Sequence, residues 1–301
     1  MKLFKQSFTA AALLAPFFVA FSAQPSLAID DECRDLPLPA TITGEHQINN
    51  GDGCYKTPDS YIVKAYKLGL CPVGSNPLSA NTFDPSSCSI IWQNPAGEEA
   101  ELVSSSGAPE SFTLDASNAN KPPNGDYGFA FVVIDPTIKL TATLALSGET
   151  WVTTTNYEST VTRPLNNTQY SWGANTGSAV LAEIRTGYLE TPGGNACYTP
   201  GIEVDGKTIH AAFLDSDEQT VVPLNSLAID GSAGTNPSCE ASFIVGVQEL
   251  STPITITEST DSADISFLTT HNGVWVESYT IGGEDLVQFD VGPFSLDMTV
   301  E

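Results

Sequence analysis

An alternation of apolar and other residues runs through Ile138-Lys139-Leu140-Thr141-Ala142-Thr143-Leu144-Ala145-Leu146. Successive side chains point to opposite faces of a β-strand, so this spacing places the apolar set on one face of a strand. A helix of the same sequence would scatter those side chains around its axis. The stretch therefore predicts a half-buried β-strand.

The chain on either side of this stretch has the same character. Dipeptides that favour tight hairpin turns, Asp205-Gly206 and Asn272-Gly273, each stand between strand-like segments. The segment at 178–185 is compatible with a short helix or a strand. Runs rich in β-branched and aromatic residues, which strands favour, lie at 61–70, 127–134, 254–257, 265–269 and 274–281.

This pattern predicts an all-β protein. We expect one or two disulfide-stapled antiparallel β-sandwich domains, Ig-like or jelly-roll-like, after a signal peptide. The expected division is a signal peptide at 1–28, an extended N-terminal arm at 29–53, one β domain at 54–150 and a second at 151–301.

The beginning of the chain has the features of a secretory signal peptide. Lys2 and Lys5 precede an apolar run, and Ser26-Leu27-Ala28 places small residues before a cleavage site at Ile29. The run is shorter than the roughly 20 residues that a membrane-spanning helix needs. We therefore expect export, with no membrane insertion after cleavage.

A weak internal repeat supports the expectation of two β units. Cys54-Tyr55-Lys56-Thr57-Pro58 is similar to Cys197-Tyr198-Thr199-Pro200, with one residue deleted in the second copy. The Cys-Tyr-x-Thr-Pro motif and the strand pattern resemble those of uncharacterised secreted β proteins of Gram-negative bacteria. The resemblance implies a secreted protein at the cell surface or in the periplasm of such a bacterium.

An even number of cysteines in an exported chain predicts disulfides. Their wide spacing, with no C-x-x-C pair, argues against a zinc cluster. We favour Cys197–Cys239, because these two stand alone in the second half of the chain. Local pairing of the others gives Cys33–Cys54 and Cys71–Cys88, whereas the repeat gives Cys54–Cys88. The six predicted disulfide cysteines are Cys33, Cys54, Cys71, Cys88, Cys197 and Cys239.

The charge of the chain excludes several classes of partner. It has 11 Lys and Arg against 36 Asp and Glu, a formal net charge of −25. After Lys207 no Lys or Arg follows, although the acidic residues continue to Glu301. Such a surface repels nucleic acid and anionic membranes and attracts cations.

The best cation candidate is the acidic segment Asp215-Ser216-Asp217-Glu218. Alternate carboxylates on a loop can present several oxygens to Ca²⁺, which takes six to eight oxygen ligands. We therefore predict Asp215, Asp217 and Glu218 as metal ligands and Ca²⁺ as the cofactor. The segment lacks the glycine and the terminal glutamate of an EF-hand loop, so a solvated acidic turn is the alternative.

An aromatic segment, Tyr170-Ser171-Trp172-Gly173, lies in a loop-like context. Aromatic rings exposed on a loop can form a platform for a sugar, so Tyr170 and Trp172 are the predicted ligand-binding residues. The alternative is that these rings fill the core.

No common catalytic motif is present. The chain contains no G-x-S-x-G, H-E-x-x-H, P-loop or G-x-G-x-x-G sequence, and its three histidines are far apart. The leading hypothesis is thus a non-enzymatic structural or adhesive protein of the cell surface that assembles with itself through divalent cations. The alternatives are a secreted module that binds surface glycans and a secreted hydrolase with an unrecognised site.

Overall fold

The computed structural model describes residues 54–103, 116–146, 149–154, 171–174, 177–186, 197–204, 206–223, 239–269, 272–281 and 284–300. The predicted signal peptide and N-terminal arm lie outside these residues. The strands of the described part are β1 (Cys54–Lys56), β2 (Ser60–Pro72), β3 (Ser89–Val103), β4 (Gly125–Ile134), β5 (Thr137–Thr141), β6 (Thr143–Leu146), β7 (Glu149–Thr153), β8 (Ser171–Ala174), β9 (Ala182–Arg185), β10 (Tyr198–Val204), β11 (Lys207–Leu214), β12 (Phe243–Ile256), β13 (Ala263–Leu268), β14 (Val274–Ile281), β15 (Glu284–Val291) and β16 (Ser295–Val300).

These strands form three antiparallel sheets. The first has six strands in the order β1-β14-β15-β8-β7-β6. The second has eight, in the order β10-β11-β12-β4-β2-β5-β9 with β3 paired to β2, and the third is the pair β13-β16. The predicted all-β, antiparallel class is therefore confirmed. The helical segments that the structure describes are single 3₁₀ turns at Pro85–Ser87 and Ala116–Asn118, and neither could cross a bilayer.

Strand β4 of the eight-stranded sheet is buried on both of its faces. Its residues from Tyr127 to Ile134 are all buried, so its sequence is a continuous apolar run instead of an alternation. Val132 belongs to a large core cluster that contains side chains from all three sheets. Phe131 points the other way, and its ring lies 5.1 Å from that of Phe83 in a second cluster.

The alternating stretch 138–146 forms two strands instead of the single predicted one. Strand β5 belongs to the eight-stranded sheet and β6 to the six-stranded sheet, so the chain changes sheets at Ala142. The alternation nevertheless holds across this corner, because Leu140, Ala142 and Leu144 are all fully buried.

Both large sheets combine strands from early and late parts of the chain. Strand β1 pairs with β14, and β4 pairs with β12. The boundary predicted between residues 150 and 151 lies inside β7. The segments 54–150 and 151–301 therefore share both large sheets.

The two turn predictions had different outcomes. The strands on either side of the predicted Asp205-Gly206 turn, β10 and β11, do pair antiparallel, and Gly206 has φ 71°. The hairpin predicted at Asn272-Gly273 is wrong, because β13 pairs with β16 whereas β14 pairs with β1 and β15. The ambiguous segment at 178–185 contains strand β9 and no helix.

Two of the predicted disulfides are present. Cys71–Cys88 and Cys197–Cys239 are bonded, with Cα–Cα distances of 4.1 and 5.6 Å. The alternative pairing Cys54–Cys88 is wrong, because Cys71 and Cys88 lie beside the antiparallel neighbours Leu70 and Ser89. Cys33 lies outside the described residues, so Cys33–Cys54 stays a prediction.

Candidate functional site

A cavity of about 140 Å³ lies between the eight-stranded sheet and the β1–β14–β15 edge of the six-stranded sheet. We call it the intersheet cavity. Six strands of the eight-stranded sheet, β2, β4, β5, β10, β11 and β12, line it and supply a mostly apolar wall. Its main side chains are those of Val132, Ile134, Ile138, Ile202, Ile209 and Ile244.

Aromatic rings form the opposite side of the intersheet cavity. Tyr55 and Trp275 are directly opposite each other in the β1–β14 pair, and their ring centroids are 4.6 Å apart. Phe294 also lines the cavity, with its ring 6.1 Å from that of Tyr61. Rings on this side supply large, rigid apolar surfaces, and Trp275 adds an indole N–H donor.

A buried tyrosine holds the segment between β15 and β16 against this site. The Tyr61 hydroxyl donates a hydrogen bond to the Gly292 carbonyl at 3.1 Å. Complete burial, and to a lesser extent the negative charge of Asp290, raises the pKa of Tyr61 far above its ordinary value. The hydroxyl therefore stays protonated and remains a donor throughout the physiological pH range.

A glutamine amide fixes the start of β16 beside the cavity. The Gln248 Nε2 donates to the Leu296 carbonyl at 2.8 Å, and the Leu296 backbone N–H donates to Gln248 Oε1 at 2.7 Å. Gln248 is buried and lines the cavity. Both polar atoms of the amide bond Leu296, so Gln248 holds this part of the wall.

Three other polar atoms on the cavity wall are unsatisfied. Thr186 Oγ1, Thr199 Oγ1 and Trp275 Nε1 are buried and have no hydrogen-bond partner among the described residues. Buried polar side-chain atoms in proteins nearly always have a partner, so three exceptions around one apolar cavity require an explanation. A bound molecule with hydrogen-bonding atoms would supply one.

The described lining is mostly apolar and has few titratable groups. It contains one carboxylate, Asp290, and no histidine, cysteine or serine. Its hydroxyl groups belong to two tyrosines and two threonines. Asp290 itself is 8% exposed and accepts a hydrogen bond from the Val291 backbone N–H at 2.6 Å.

Sequence reasoning did not assign this site, although one signal pointed to it. The two copies of the Cys-Tyr repeat both reach the cavity, the first through Tyr55 and the second through Thr199. Alternation along β14 indicates only that Trp275 faces away from the buried Val274 and Val276. Its pairing with Tyr55 depends on strands more than 200 residues apart in sequence.

The acidic segment 215–218 forms a tight turn whose carboxylates make local contacts. Asp217 accepts hydrogen bonds from the Thr220 hydroxyl at 2.6 Å and from the backbone N–H groups of Gln219 and Thr220 at 2.8 Å. These bonds, that of the Thr220 hydroxyl above all, lower the pKa of Asp217. Asp215 Oδ1 accepts from the Ser216 backbone N–H at 2.6 Å.

Glu218 has a separate partner, since its carboxylate forms an ion pair with Lys67. It is also the non-glycine residue with positive φ in the described structure, at 58°. No group of three or more His, Cys, Asp or Glu is arranged to hold a metal within the described ranges. Ca²⁺ binding by Asp215, Asp217 and Glu218 stays a prediction, and a cation there would compete with these internal contacts.

The predicted aromatic platform is only partly within the described residues. Tyr170 lies outside them. Trp172 belongs to strand β8, where its backbone is paired with that of Gln288 in β15, so its context is a strand and not a loop. Sugar binding by these two residues stays a prediction.

Comparison of the chain with protein-family models, with curated proteins and with solved structures found no match. The functional interpretation accordingly depends on the residues themselves. The two disulfides indicate an oxidising environment, which agrees with the predicted export.

Proposed function

We propose that this chain is an exported, non-enzymatic β protein that acts at the cell surface or in the periplasm by binding a small ligand in the intersheet cavity. The observation that carries this proposal is the set of three unpaired polar atoms, from Thr186, Thr199 and Trp275, around one mostly apolar cavity. A β-sandwich architecture is part of the proposal, because one core cluster joins side chains of both large sheets.

Energetics favour an occupant for this cavity. Leaving a buried donor or acceptor without a partner costs about 1–3 kcal/mol for each group. An occupant that bonds these groups, whether water or a ligand, removes that cost. A ligand that satisfies them recovers part of this cost and also covers the apolar wall.

A thermal unfolding experiment with small apolar probes tests the proposal. Benzene, cyclohexanol and cyclohexanone would be added singly to the purified exported chain with its disulfides intact. A ligand that binds only the folded state raises Tm by mass action, so we expect at least one probe to raise Tm with a saturable dependence on concentration.

Filling the cavity provides the matched variant. Ala211 lines the cavity, so Ala211→Leu should abolish the rise in Tm. Ala145→Leu adds the same atoms at an exposed position of β6 that does not line the cavity, and it should leave the rise intact. Equal responses of wild type and Ala211→Leu to every probe would contradict binding in the cavity.

A second candidate function is assembly at the cell surface through divalent cations, in a structural or adhesive role. The chain has 36 acidic and 11 basic residues, so copies of it repel one another unless cations lie between them. This charge favours assembly that depends on cations. Light scattering of the exported chain in millimolar Ca²⁺ and then in EDTA tests this candidate. A large species that dissociates in EDTA would support it, and a monomer in both would contradict it.

A further inference from the structure

We infer that the intersheet cavity selects a small neutral molecule built on one six-membered ring, with an oxygen that accepts a hydrogen bond from the Trp275 indole N–H. Phenols and cyclic ketones are the chemical classes that fit. This inference rests on the proposed function and adds to it the chemistry of the ligand.

The size of the ligand follows from the volume of the cavity. Apolar cavities of about 150 Å³ in proteins hold a single benzene ring, and the intersheet cavity has about 140 Å³. A sugar chain or a long acyl chain exceeds this volume. The branched side chains of Ile134, Ile138 and Ile244, with the rings of Tyr55 and Trp275, provide apolar contact for a ring of that size.

The hydrogen-bonding groups of the ligand follow from the unpaired atoms. The indole Nε1 of Trp275 can only donate, so its partner must be an acceptor. Thr199 Oγ1 can donate and accept, and Thr199 is 1% exposed, which leaves it little access to bulk water. An oxygen on the ring supplies the acceptor that the indole requires, and a hydroxyl group can both donate to and accept from a threonine hydroxyl.

The charge of the ligand follows from Asp290 and from the chain as a whole. Asp290 lies on the cavity wall with 8% exposure, and the described lining contains no Lys, Arg or His to balance an anion. The formal net charge of −25 also repels anions at longer range. A carboxylate or a phosphate is therefore disfavoured relative to a neutral molecule of the same shape.

The test compares four probes of similar size by nuclear magnetic resonance of the ¹⁵N-labelled exported chain. Phenol and cyclohexanone have the acceptor oxygen, benzene lacks it, and benzoate carries a charge. The indole signal of Trp275 is assigned by its loss in Trp275→Phe. We expect phenol and cyclohexanone to shift that signal and to bind about tenfold more tightly than benzene, and benzoate to bind more weakly than either.

Two variants remove the hydrogen bonds and keep the apolar contacts. Trp275→Phe and Thr199→Val should each weaken phenol binding about tenfold and leave benzene binding within about threefold. Thr208→Val on the same hairpin is the matched control, since its hydroxyl bonds Glu203 Oε1 at 2.7 Å outside the cavity. It should change neither affinity. A dispersed amide spectrum establishes that each variant is folded, and either cavity variant alone suffices for the comparison.

The possible outcomes separate this inference from the proposed function. If none of the four probes binds, both are overturned. If benzene and phenol bind equally and neither cavity variant changes their affinities, the cavity binds ligands but the polar atoms do not select them. Tighter binding of benzoate than of phenol overturns the inference that the ligand is neutral.

Discussion

Thr153 and Ala142 are bonded to each other at the corner where the chain passes from one large sheet to the other. The Thr153 backbone N–H donates to the Ala142 carbonyl at 3.0 Å, and the Ala142 N–H donates to Thr153 Oγ1 at 3.2 Å. The same hydroxyl donates to the Val180 carbonyl at 2.9 Å. Ala142 lies at the corner between β5 and β6. The Thr153 hydroxyl therefore takes the place of a backbone carbonyl as the acceptor for the Ala142 N–H.

The first prediction concerns this hydroxyl. Thr153→Val keeps the shape of the side chain and removes the hydroxyl that bonds the buried Ala142 N–H and the Val180 carbonyl. The Ala142 N–H is buried whereas Val180 is exposed, so one buried group is left unsatisfied and we expect the free energy of unfolding to fall by about 1–3 kcal/mol. Urea denaturation followed by tryptophan fluorescence measures the change.

Two controls isolate the hydrogen bonds. Thr153→Ser retains the hydroxyl and should lose less stability than Thr153→Val. Thr150→Val makes the same exchange at an exposed position of β7 and should change the free energy of unfolding by less than about 0.5 kcal/mol. Equal losses for the valine and serine variants of Thr153 would show that the hydroxyl does not hold the corner.

The same corner shows what the sequence can and cannot predict about the fold. The period of two in 138–146 correctly indicated that Leu140, Ala142 and Leu144 are buried, because that depends only on local strand geometry. It did not reveal the change of sheet. That change depends on β5 pairing with β2 and β9, which are distant in sequence, while β6 pairs with the adjacent β7, and no local pattern specifies the distant partners.

The intersheet cavity shows the same limit for the site. Its wall is assembled from residues as distant in sequence as Tyr55 and Leu296. The acidic turn at 215–218 was visible because its carboxylates are adjacent in sequence, whereas Trp275 gains its importance only from its position beside Tyr55. A polar atom without a hydrogen-bond partner can be recognised only when the positions of all its neighbours are known.

The second prediction is a loss of stability in alkali through Tyr61. The folded state raises the pKa of Tyr61, so the protonated hydroxyl is favoured there and ionisation favours the unfolded chain. This contribution is complete below the unfolded pKa of about 10 and declines as the pH rises above it. The stability advantage of wild type over Tyr61→Phe should therefore shrink between about pH 9 and pH 11.

Urea unfolding of both chains at several pH values measures that difference. Comparison with the phenylalanine variant removes the contributions of other tyrosines and lysines, which both chains share. An advantage that is constant over this range would mean that Tyr61 titrates normally in the folded protein.

The third prediction orders the two disulfides. The Cys71–Cys88 bond joins residues 17 apart and Cys197–Cys239 joins residues 42 apart. Closing the longer loop restricts the unfolded chain more, so the chain-entropy model gives about 3 and about 4 kcal/mol respectively. Paired Cys→Ala variants, one pair at a time, should lower the free energy of unfolding in that order. The reverse order would indicate that packing around Cys71 outweighs chain entropy.

The fourth prediction concerns the amide that anchors β16. Gln248→Leu removes the partner of the buried Leu296 N–H, whereas the Leu296 carbonyl keeps a hydrogen bond from Lys207 Nζ at 2.8 Å. One buried group without a partner costs about 1–3 kcal/mol, so we expect the free energy of unfolding to fall by about that amount. Gln248→Glu should also be destabilising, because a carboxylate cannot donate to the Leu296 carbonyl and its charge is buried. Gln93→Leu makes the same exchange at an exposed position of β3 and should have little effect.

Hydrogen exchange provides a second measurement of the same anchor. The β16 amides should open faster in Gln248→Leu than in wild type. Unchanged protection of these amides would mean that the packing of Leu296 and Phe294, not the Gln248 amide, holds the strand.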